Sequence, residues 1–502
     1  MDVATPKYWH VRLFLQRGLA AVYLIAFLVT ANQFRALLGE HGLLPVPIFV
    51  RAVPFHDTPS LFYLFPNDIA FSICAWLGAA LSCLALTGLS ERYNSGASAA
   101  VWTALWMLYL SFVNVGQTFY GFGWETMLLE AGFFAIFLGA SRSSPQAIII
   151  WILRWQLFRV MLGAGLIKMR GDPCWRDLTC LDYHYQTQPM PNPLSWYFHW
   201  MPEWTHRGGV LFNHFVELVV PFVFFAPQPF ARIAGLLTIA FQLLLMLSGN
   251  LSFLNLLTMV LAISVLDDRL LARLLALLTR ARPVAISETF FYQRLPAILL
   301  TIVVAWLSVA PAMNLISPNQ AMNASFNPLH IVNTYGAFGS VTRERYQVIV
   351  EGTSDSPPTA GSVWREYQFK GQPGDVRRMP PQIAPYHLRI DWLMWFAAMS
   401  PYYQHPWFVN FMAKLLQGDQ AVLGLLSTNP FPEHPPRYVR ARLYEYHFTT
   451  PEQRRATGLW WIRQPARESG GELRLDGAAN YFPAVSLDDP GFREVLQQQG
   501  WL

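Results

Sequence analysis

Apolar stretches long enough to cross a bilayer recur along the first 312 residues, at 19–38, 68–89, 98–115, 121–139, 147–168, 208–226, 229–247, 250–267 and 295–312. About 20 helical residues rise the roughly 30 Å of a hydrocarbon core, so each stretch has the length of a span. A chain with this pattern cannot bury all of its apolar surface in one soluble core. Composition agrees, since 53% of residues are hydrophobic and only 13% charged, against about 25% charged in soluble domains. The expectation is a multi-pass α-helical bundle of about nine spans. The first apolar run is too long for a cleaved signal core, so it reads as a retained helix.

Charge sets the orientation. With the amino terminus inside, Lys7, Arg12, Arg17, Arg92, Arg142, Arg232, Arg269, Arg273, Arg280, Arg282 and Arg294 fall on inner segments, and only Arg51, Lys168, Arg170, Arg176 and Arg207 on outer ones. The positive-inside rule then sends the 168–207 loop and everything after residue 312 to the extracytoplasmic side. The net charge of +5 therefore reflects membrane orientation; no basic tract carries the aromatic pattern of a nucleic-acid module. Residues 268–281 place arginines among leucines at helical spacing and read as a helix on the inner surface.

After Ala312 prolines become dense and period-two segments appear, at 345–351, 363–370, 438–449 and 458–463, interrupted by helical patterns at 391–399 and 406–417. This predicts a β-rich, sandwich-like extracytoplasmic domain over 313–502, following a membrane domain over 1–312.

Charges inside apolar runs are the first candidates for chemistry, because each is costly without a partner. Glu125, Glu130, Arg154, Arg159 and Glu217 are such charges. Counting residues from the outer boundary puts Glu130, Arg159 and Glu217 at one depth, which predicts that these three meet. The cluster is either a structural ion pair that fixes helix packing or a path for protons or substrate. In the outer loop, Cys174 and Cys180 stand where disulfides persist, and a local bridge, free thiols and redox exchange are the readings for them. Their spacing with His184 matches no common zinc site. The same loop offers Lys168, Arg170, Asp172, Trp175, Arg176, Asp182, His184 and Trp196 as a rigid polar and aromatic surface for a visiting polypeptide. Trp196, Tyr197, Trp200 and Trp204 also have the character of headgroup-level anchors. No catalytic motif, metal set or cofactor fingerprint is present, so no catalytic residue, metal or cofactor is assigned.

The strings YGFGWETMLLEAGFF (120–134), LRWQLFRVMLGAGLIKMRGDPCWRDLTCLDYHYQTQPMPNPLSWY (153–197) and FNHFVELVVPF (212–222) resemble signature blocks of the lipase maturation factor family. In the tail, RERYQVIVEG, WREYQFKGQPGD, RRMPPQIAPYHLRIDWLMWFAA, NPFP and PPRYVRARLYEYHFT resemble the same family. The resemblance implies a multi-pass membrane protein that helps secreted lipases or other exported proteins fold and assemble, and the lack of catalytic motifs reads as a factor without catalytic activity of its own. It implies residence in the endoplasmic reticulum with a lumenal soluble domain, or, in a bacterial member, in the inner membrane with a periplasmic one. Two other readings stand beside it. One is a membrane enzyme distantly similar to vitamin K-dependent carboxylases, with Lys168, His184 or Glu130 moving protons; the other is a transporter using the buried charges.

Overall fold

The computed structural model describes residues 7–278, 291–466 and 480–501; the readings for Arg280 and Arg282, and the last residues of the 268–281 stretch, fall outside them. Six helices combine the length and hydropathy of a span: Trp9–Leu38, Asp68–Thr87, Ser95–Val115, Ala147–Arg170, Phe230–Ser248 and Arg294–Ile316. Three expected spans are shorter or broken. Gly123–Ala135 has 13 residues and stops at a turn ending in Gly139, which has positive φ. The 208–226 stretch is interrupted by a π-turn, Phe215–Val219, and the 250–267 stretch forms only Leu254–Ala262 with a 3-10 turn behind it.

The longest helix, Trp9–Leu38, has 30 residues and so runs about 45 Å, which separates its ends. At its first turn the backbone N–H groups of His10 and Val11 donate to Asp268 at 2.8 and 3.1 Å. An acidic group there satisfies orphan donors and faces the positive end of the helix dipole. At the same end Arg12 donates to the Ser143 carbonyl, Ser141 to the Glu91 carbonyl, and Gln228 to the Val265 carbonyl. At the other end Gln33 donates to the His387 carbonyl, Asn410 to Gly42 and Leu43, and Gln117 to Leu44. The loops therefore divide into two groups, and the tail packs against the second.

Helix Trp9–Leu38 lies against Asp68–Thr87 closely enough that a side chain at Gly78 would run into the Phe27 ring. Tyr23, Phe27, Phe34, Tyr109 and Phe112 pack edge to face around that contact, an arrangement favoured by the ring quadrupoles.

The tail strands are β1 (Arg345–Thr353), β2 (Arg365–Glu366), β3 (Gln368–Phe369), β4 (Leu426–Thr428), β5 (Tyr438–Phe448), β6 (Trp461–Pro465) and β7 (Asn480–Val485). They form one five-stranded antiparallel sheet in the order β2-β1-β5-β6, with β7 also on β5, and a separate β3-β4 pair. The β1–β5 ladder runs from Arg345 opposite Tyr446 to Thr353 opposite Tyr438. Among the described residues the five-stranded sheet has both faces covered, and with only the two-stranded β3-β4 pair beside it the tail is not a sandwich of two full sheets. Val348 and Val350 point into a core shared with helices Arg389–Ala397 and Pro406–Gln417. Ile349, Tyr446 and Phe448 join Trp196, Trp460 and Trp461 on the opposite face. Helices and the outer loop thus cover what a second sheet would cover in a sandwich.

Candidate functional site

The buried charges resolve into separate sites. Arg159 forms an ion pair with Glu130, and both are almost fully buried. Residues of the tail complete this pair. The Asn333 backbone N–H and Tyr335 hydroxyl donate to Glu130 at 3.0 and 2.7 Å, and Arg159 donates to the Asn333 carbonyl.

Glu217 does not join them. Its two carboxylate oxygens accept from Lys168 Nζ at 2.6 and 2.7 Å, and Asn213 supports both partners. The depth count fails here for two reasons. The helix carrying Arg159 continues past Lys168 to Arg170, so Lys168 is a wall residue rather than a loop residue. Glu217 sits in a π-turn, in which the Val220 N–H bonds to the Phe215 carbonyl five residues back. Pro221 has no N–H to return to the Glu217 carbonyl, so the wider turn follows from the sequence and rotates the carboxylate.

Glu125 forms a third site. Arg389 Nη1 donates to it at 2.7 Å and to the Phe119 carbonyl at 2.7 Å, and the guanidinium stacks 3.5 Å from the Tyr120 ring centroid. The Tyr109 hydroxyl also donates to Glu125. Among the described residues Arg154 meets no carboxylate. It donates to the Ser264 and Phe224 carbonyls and stacks on Trp151, an arrangement that satisfies helix-end acceptors.

The outer loop is folded inward. Cys174 and Cys180 form a disulfide, both buried with Trp175 and Val210 in a small core. Asp172 caps the turn Pro173–Arg176, accepting from the Cys174 N–H at 2.9 Å, and accepts from Arg343 Nη2 at 2.7 Å. Partial burial alone would raise the Asp172 carboxyl, but the hydrogen bonds from Arg343, Cys174 and Val341 outweigh it and hold it below its ordinary range. Arg345, fully buried, reaches from β1 to the carbonyls of Gln186, Gln188 and Pro189, and Trp196 Nε1 donates to the Thr449 carbonyl at 2.8 Å.

Of the residues expected on an open client surface, Lys168, Trp175, His184 and Trp196 are buried. Trp175 donates to the Phe338 carbonyl. Arg170 donates to Gln320 and the Leu315 carbonyl, and Asp182 pairs with His206 at 2.8 Å. Only Arg176 is exposed. Loop and tail share their aromatic surface, so it is consumed in holding them together.

Between the helices Ala147–Arg170, Phe230–Ser248 and Leu254–Ala262 and the tail lies a cavity of about 930 Å³. Its wall is mostly aromatic and aliphatic, with the Lys168–Glu217–Asn213 group at one side and Gln242 bonded to Asn255 at another. His184 lines it too; burial, with Lys168 adding to it, pushes its imidazole down to about 4. The imidazole is therefore neutral at physiological pH.

Sequence reasoning missed Arg389, Arg345, Asn333 and Tyr335, which bind the tail to the bundle and loop. Arg389 stands in the string His387-Leu-Arg-Ile-Asp391, where two charges flank apolar residues in a tail otherwise rich in proline. That local contrast was the available signal, but its partner lies 264 residues away.

Comparison with known proteins follows the same division of the chain. Residues 10–273 match the lipase maturation factor transmembrane domain and residues 331–470 the lipase maturation factor C-terminal domain. Lipase maturation factor 1 of Mus musculus is 44% identical over 519 residues, covering 95% of this chain and 89% of the mouse protein. Lipase maturation factor 1 of Homo sapiens is 43% identical over 530 residues, covering 99% of this chain and 91% of the human protein. Lipase maturation factor 2 of Homo sapiens is 30% identical over 623 residues, covering 97% and 84%. These relatives are mammalian and lend no support to a bacterial inner-membrane placement. No solved structure matches the chain. With two family models in tandem and near-full-length identity to named members, this chain belongs to the lipase maturation factor family.

Proposed function

We propose that this protein is a multi-pass factor of the endoplasmic reticulum membrane that assists folding and assembly of secreted lipases, without catalysing a reaction. The observation that carries this reading is the union of the disulfide-bearing loop with the tail. Asp172–Arg343, Arg345 with the 186–189 carbonyls, and Trp196 with Thr449 make one rigid body at the end of the bundle away from the amino terminus. A disulfide belongs to an oxidising compartment, which favours the lumenal side for that body. The enzyme and transporter readings gain nothing from a family named for maturation.

In this reading the chain crosses the membrane nine times. The three short segments, 123–139, 203–226 and 254–267, each lead from the loop group near the tail to the group near the amino terminus, as the hydrogen bonds of those loops support. The membrane domain covers 1–312 and the lumenal domain 313–502. Tyr197, Trp200 and Trp204 are exposed and serve as headgroup anchors. The client, a secreted lipase, meets the outer tail surface with Arg176 and the accessible edges of Arg170, Asp172 and Asp182. Trp175, His184, Trp196 and Lys168 act behind that surface as its support.

The test is complementation in cells deprived of their own factor. Expression of this chain should restore lipase activity in the medium, and newly made lipase should copurify with it from the endoplasmic reticulum. Secretion that stays at the level of empty vector, with the protein correctly inserted, counts against the reading.

A further inference from the structure

The end of the bundle that carries the amino terminus is basic, and it leaves its cations open. Over 7–17, 89–95, 139–148, 227–233 and 264–274 it holds eight lysine and arginine side chains against three carboxylates. Each of the three carboxylates is spent within the protein. Glu91 pairs with Arg17 at 2.6 Å, Asp267 pairs with Arg232 at 3.2 Å, and Asp268 accepts from the backbone N–H groups of Tyr8, His10 and Val11. Arg92, Arg142, Arg269 and Arg273 are exposed and meet no carboxylate among the described residues, and Lys7 is exposed beside them.

Hydrogen bonds between the residues next to these arginines hold them in one neighbourhood. The Ser141 N–H and hydroxyl both donate to the Glu91 carbonyl, at 3.1 and 2.9 Å, which brings Arg142 beside Arg92. Trp9 Nε1 donates to the Ser141 carbonyl at 3.0 Å, and the helix turn that carries Trp9 rests on Asp268, the residue before Arg269. Arg273 follows four residues later on the same face of the helix Asp268–Leu278. Like charges gathered in this way repel one another unless an anion lies among them.

Apolar neighbours decide which anion. Leu271 packs into the bundle core, whereas Leu274 beside Arg273 is 42% exposed, Tyr93 beside Arg92 is 80% exposed, and Trp151 is 39% exposed at the same end. Open aromatic and aliphatic side chains at the level of arginines mark the headgroup layer of a bilayer. An acidic protein or nucleic acid arriving from water would meet the charges but leave that apolar rim wet. A guanidinium matches phosphate oxygens in pairs, and each cation at a membrane surface strengthens the hold on acidic lipid about fivefold.

We propose that this face is a docking surface for anionic phospholipids of the adjacent leaflet, their phosphates held by Arg92 with Arg142 and by Arg269 with Arg273, in preference to zwitterionic lipids. The surface lies at the opposite end of the bundle from the tail, so failure of the client reading leaves it standing.

The experiment uses the full chain in phosphatidylcholine vesicles that contain a small fraction of phosphatidylserine carrying a diazirine close to its glycerol, with the matching phosphatidylcholine probe as reference. After illumination, the ratio of serine-probe to choline-probe adducts on peptides covering 89–93, 142–151 and 269–274 should exceed the ratio on the lipid-facing helix Arg294–Ile316 at least fivefold. Salt at about 0.5 M, where screening reaches inside about 5 Å, should remove most of the excess. Arg92→Gln with Arg142→Gln, and Arg269→Gln with Arg273→Gln, should each lower it at least threefold at their own peptides, and all four together should bring it to parity. The same positions changed to lysine should keep most of the excess, which separates lost charge from lost packing, and thermal unfolding checks that each variant is folded. A ratio uniform along the chain overturns the lipid assignment. An excess that survives the glutamine variants, or that salt does not touch, overturns the role of the arginines.

Discussion

Replacing Arg389 with methionine tests whether the tail is built into the membrane bundle or merely tethered to it. Arg389 and Glu125 are both completely buried, and the guanidinium also satisfies the Phe119 carbonyl. Methionine keeps the apolar stem but leaves Glu125 without its cation, a change that costs about 3–5 kcal/mol in buried pairs. The abandoned Phe119 carbonyl adds about 1 kcal/mol. The double variant Arg389→Met, Glu125→Gln removes the stranded charge while keeping an acceptor for the Tyr109 hydroxyl. It should therefore recover about 2 kcal/mol of the loss. Denaturant titration of the purified protein in detergent measures both values, and limited proteolysis reports separately on release of the tail. The single variant should lose tail protection at a denaturant concentration where the helices are still folded. If single and double variants fall within about 0.5 kcal/mol of one another, the pair is energetically uncoupled, and the argument that it docks the tail fails.

Further outcomes follow from other contacts. Cys174→Ser with Cys180→Ser opens a loop of sequence separation 6, for which loop entropy predicts a loss of about 2 kcal/mol; thermal unfolding with and without reductant checks it, the double variant being insensitive to reductant. Gly163→Ala places a methyl group against the backbone carbonyl of Tyr335, and should cost about 1–3 kcal/mol, read as a lower unfolding midpoint and earlier cleavage of the tail. Burial pushes His184, His199, His330 and His387 each down to about 4, so the folded state binds fewer protons than the unfolded one between pH 4 and the ordinary value of 6.5. Their contribution is complete above that ordinary value and is lost as pH falls towards 4, by up to about 2 kcal/mol per histidine at pH 5. Burial raises Asp391 to about 6 against its backbone hydrogen bonds, which has the opposite sign, so Asp391→Asn should steepen the loss of stability seen by calorimetry between pH 6.5 and 4.5.

Run length and charge sidedness made the bundle legible, because bilayer thickness imposes a number that composition must meet. They were less able to show where a helix breaks. The 121–139 stretch reads as continuous because Phe133 to Leu138 is apolar, yet the chain leaves the helix at Ala135. Period-two patterns located β1, β5 and β6, since alternating burial is a local property. The same patterns merged β2 with β3 and passed over β4, whose three residues carry too little sequence to alternate. Partners were hardest to read. Glu130 and Arg159 lie 29 residues apart on neighbouring helices, within the range that depth counting handles. Arg345 spends its charge on main-chain carbonyls, which leave no mark in the side-chain pattern.

The distribution of buried ions has a consequence for how such a factor works. Each of the two carboxylates in the Gly123–Ala135 helix is held from two directions. Glu130 faces Arg159 and the 333–335 segment, and Glu125 faces Tyr109 of the neighbouring helix and Arg389 of the tail. The helix is short and has little lipid-facing length of its own, so its position depends on these contacts with the tail. Conversely, the tail sheet cannot shift without uncovering charges inside the bundle, and that penalty of several kcal/mol exceeds what a flexible linker could supply. A surface that receives an unfolded or partly assembled client gains from such rigidity, because the entropy of ordering then falls on the client alone. Substitutions deep in the helical bundle should therefore weaken client capture as strongly as substitutions on the outer face. Glu130→Gln is the sharpest case, since Glu130 is completely buried yet supports Asn333 and Tyr335 directly. Normal lipase copurification with a Glu130→Gln protein whose tail has become protease-sensitive would show that capture does not need the docked state.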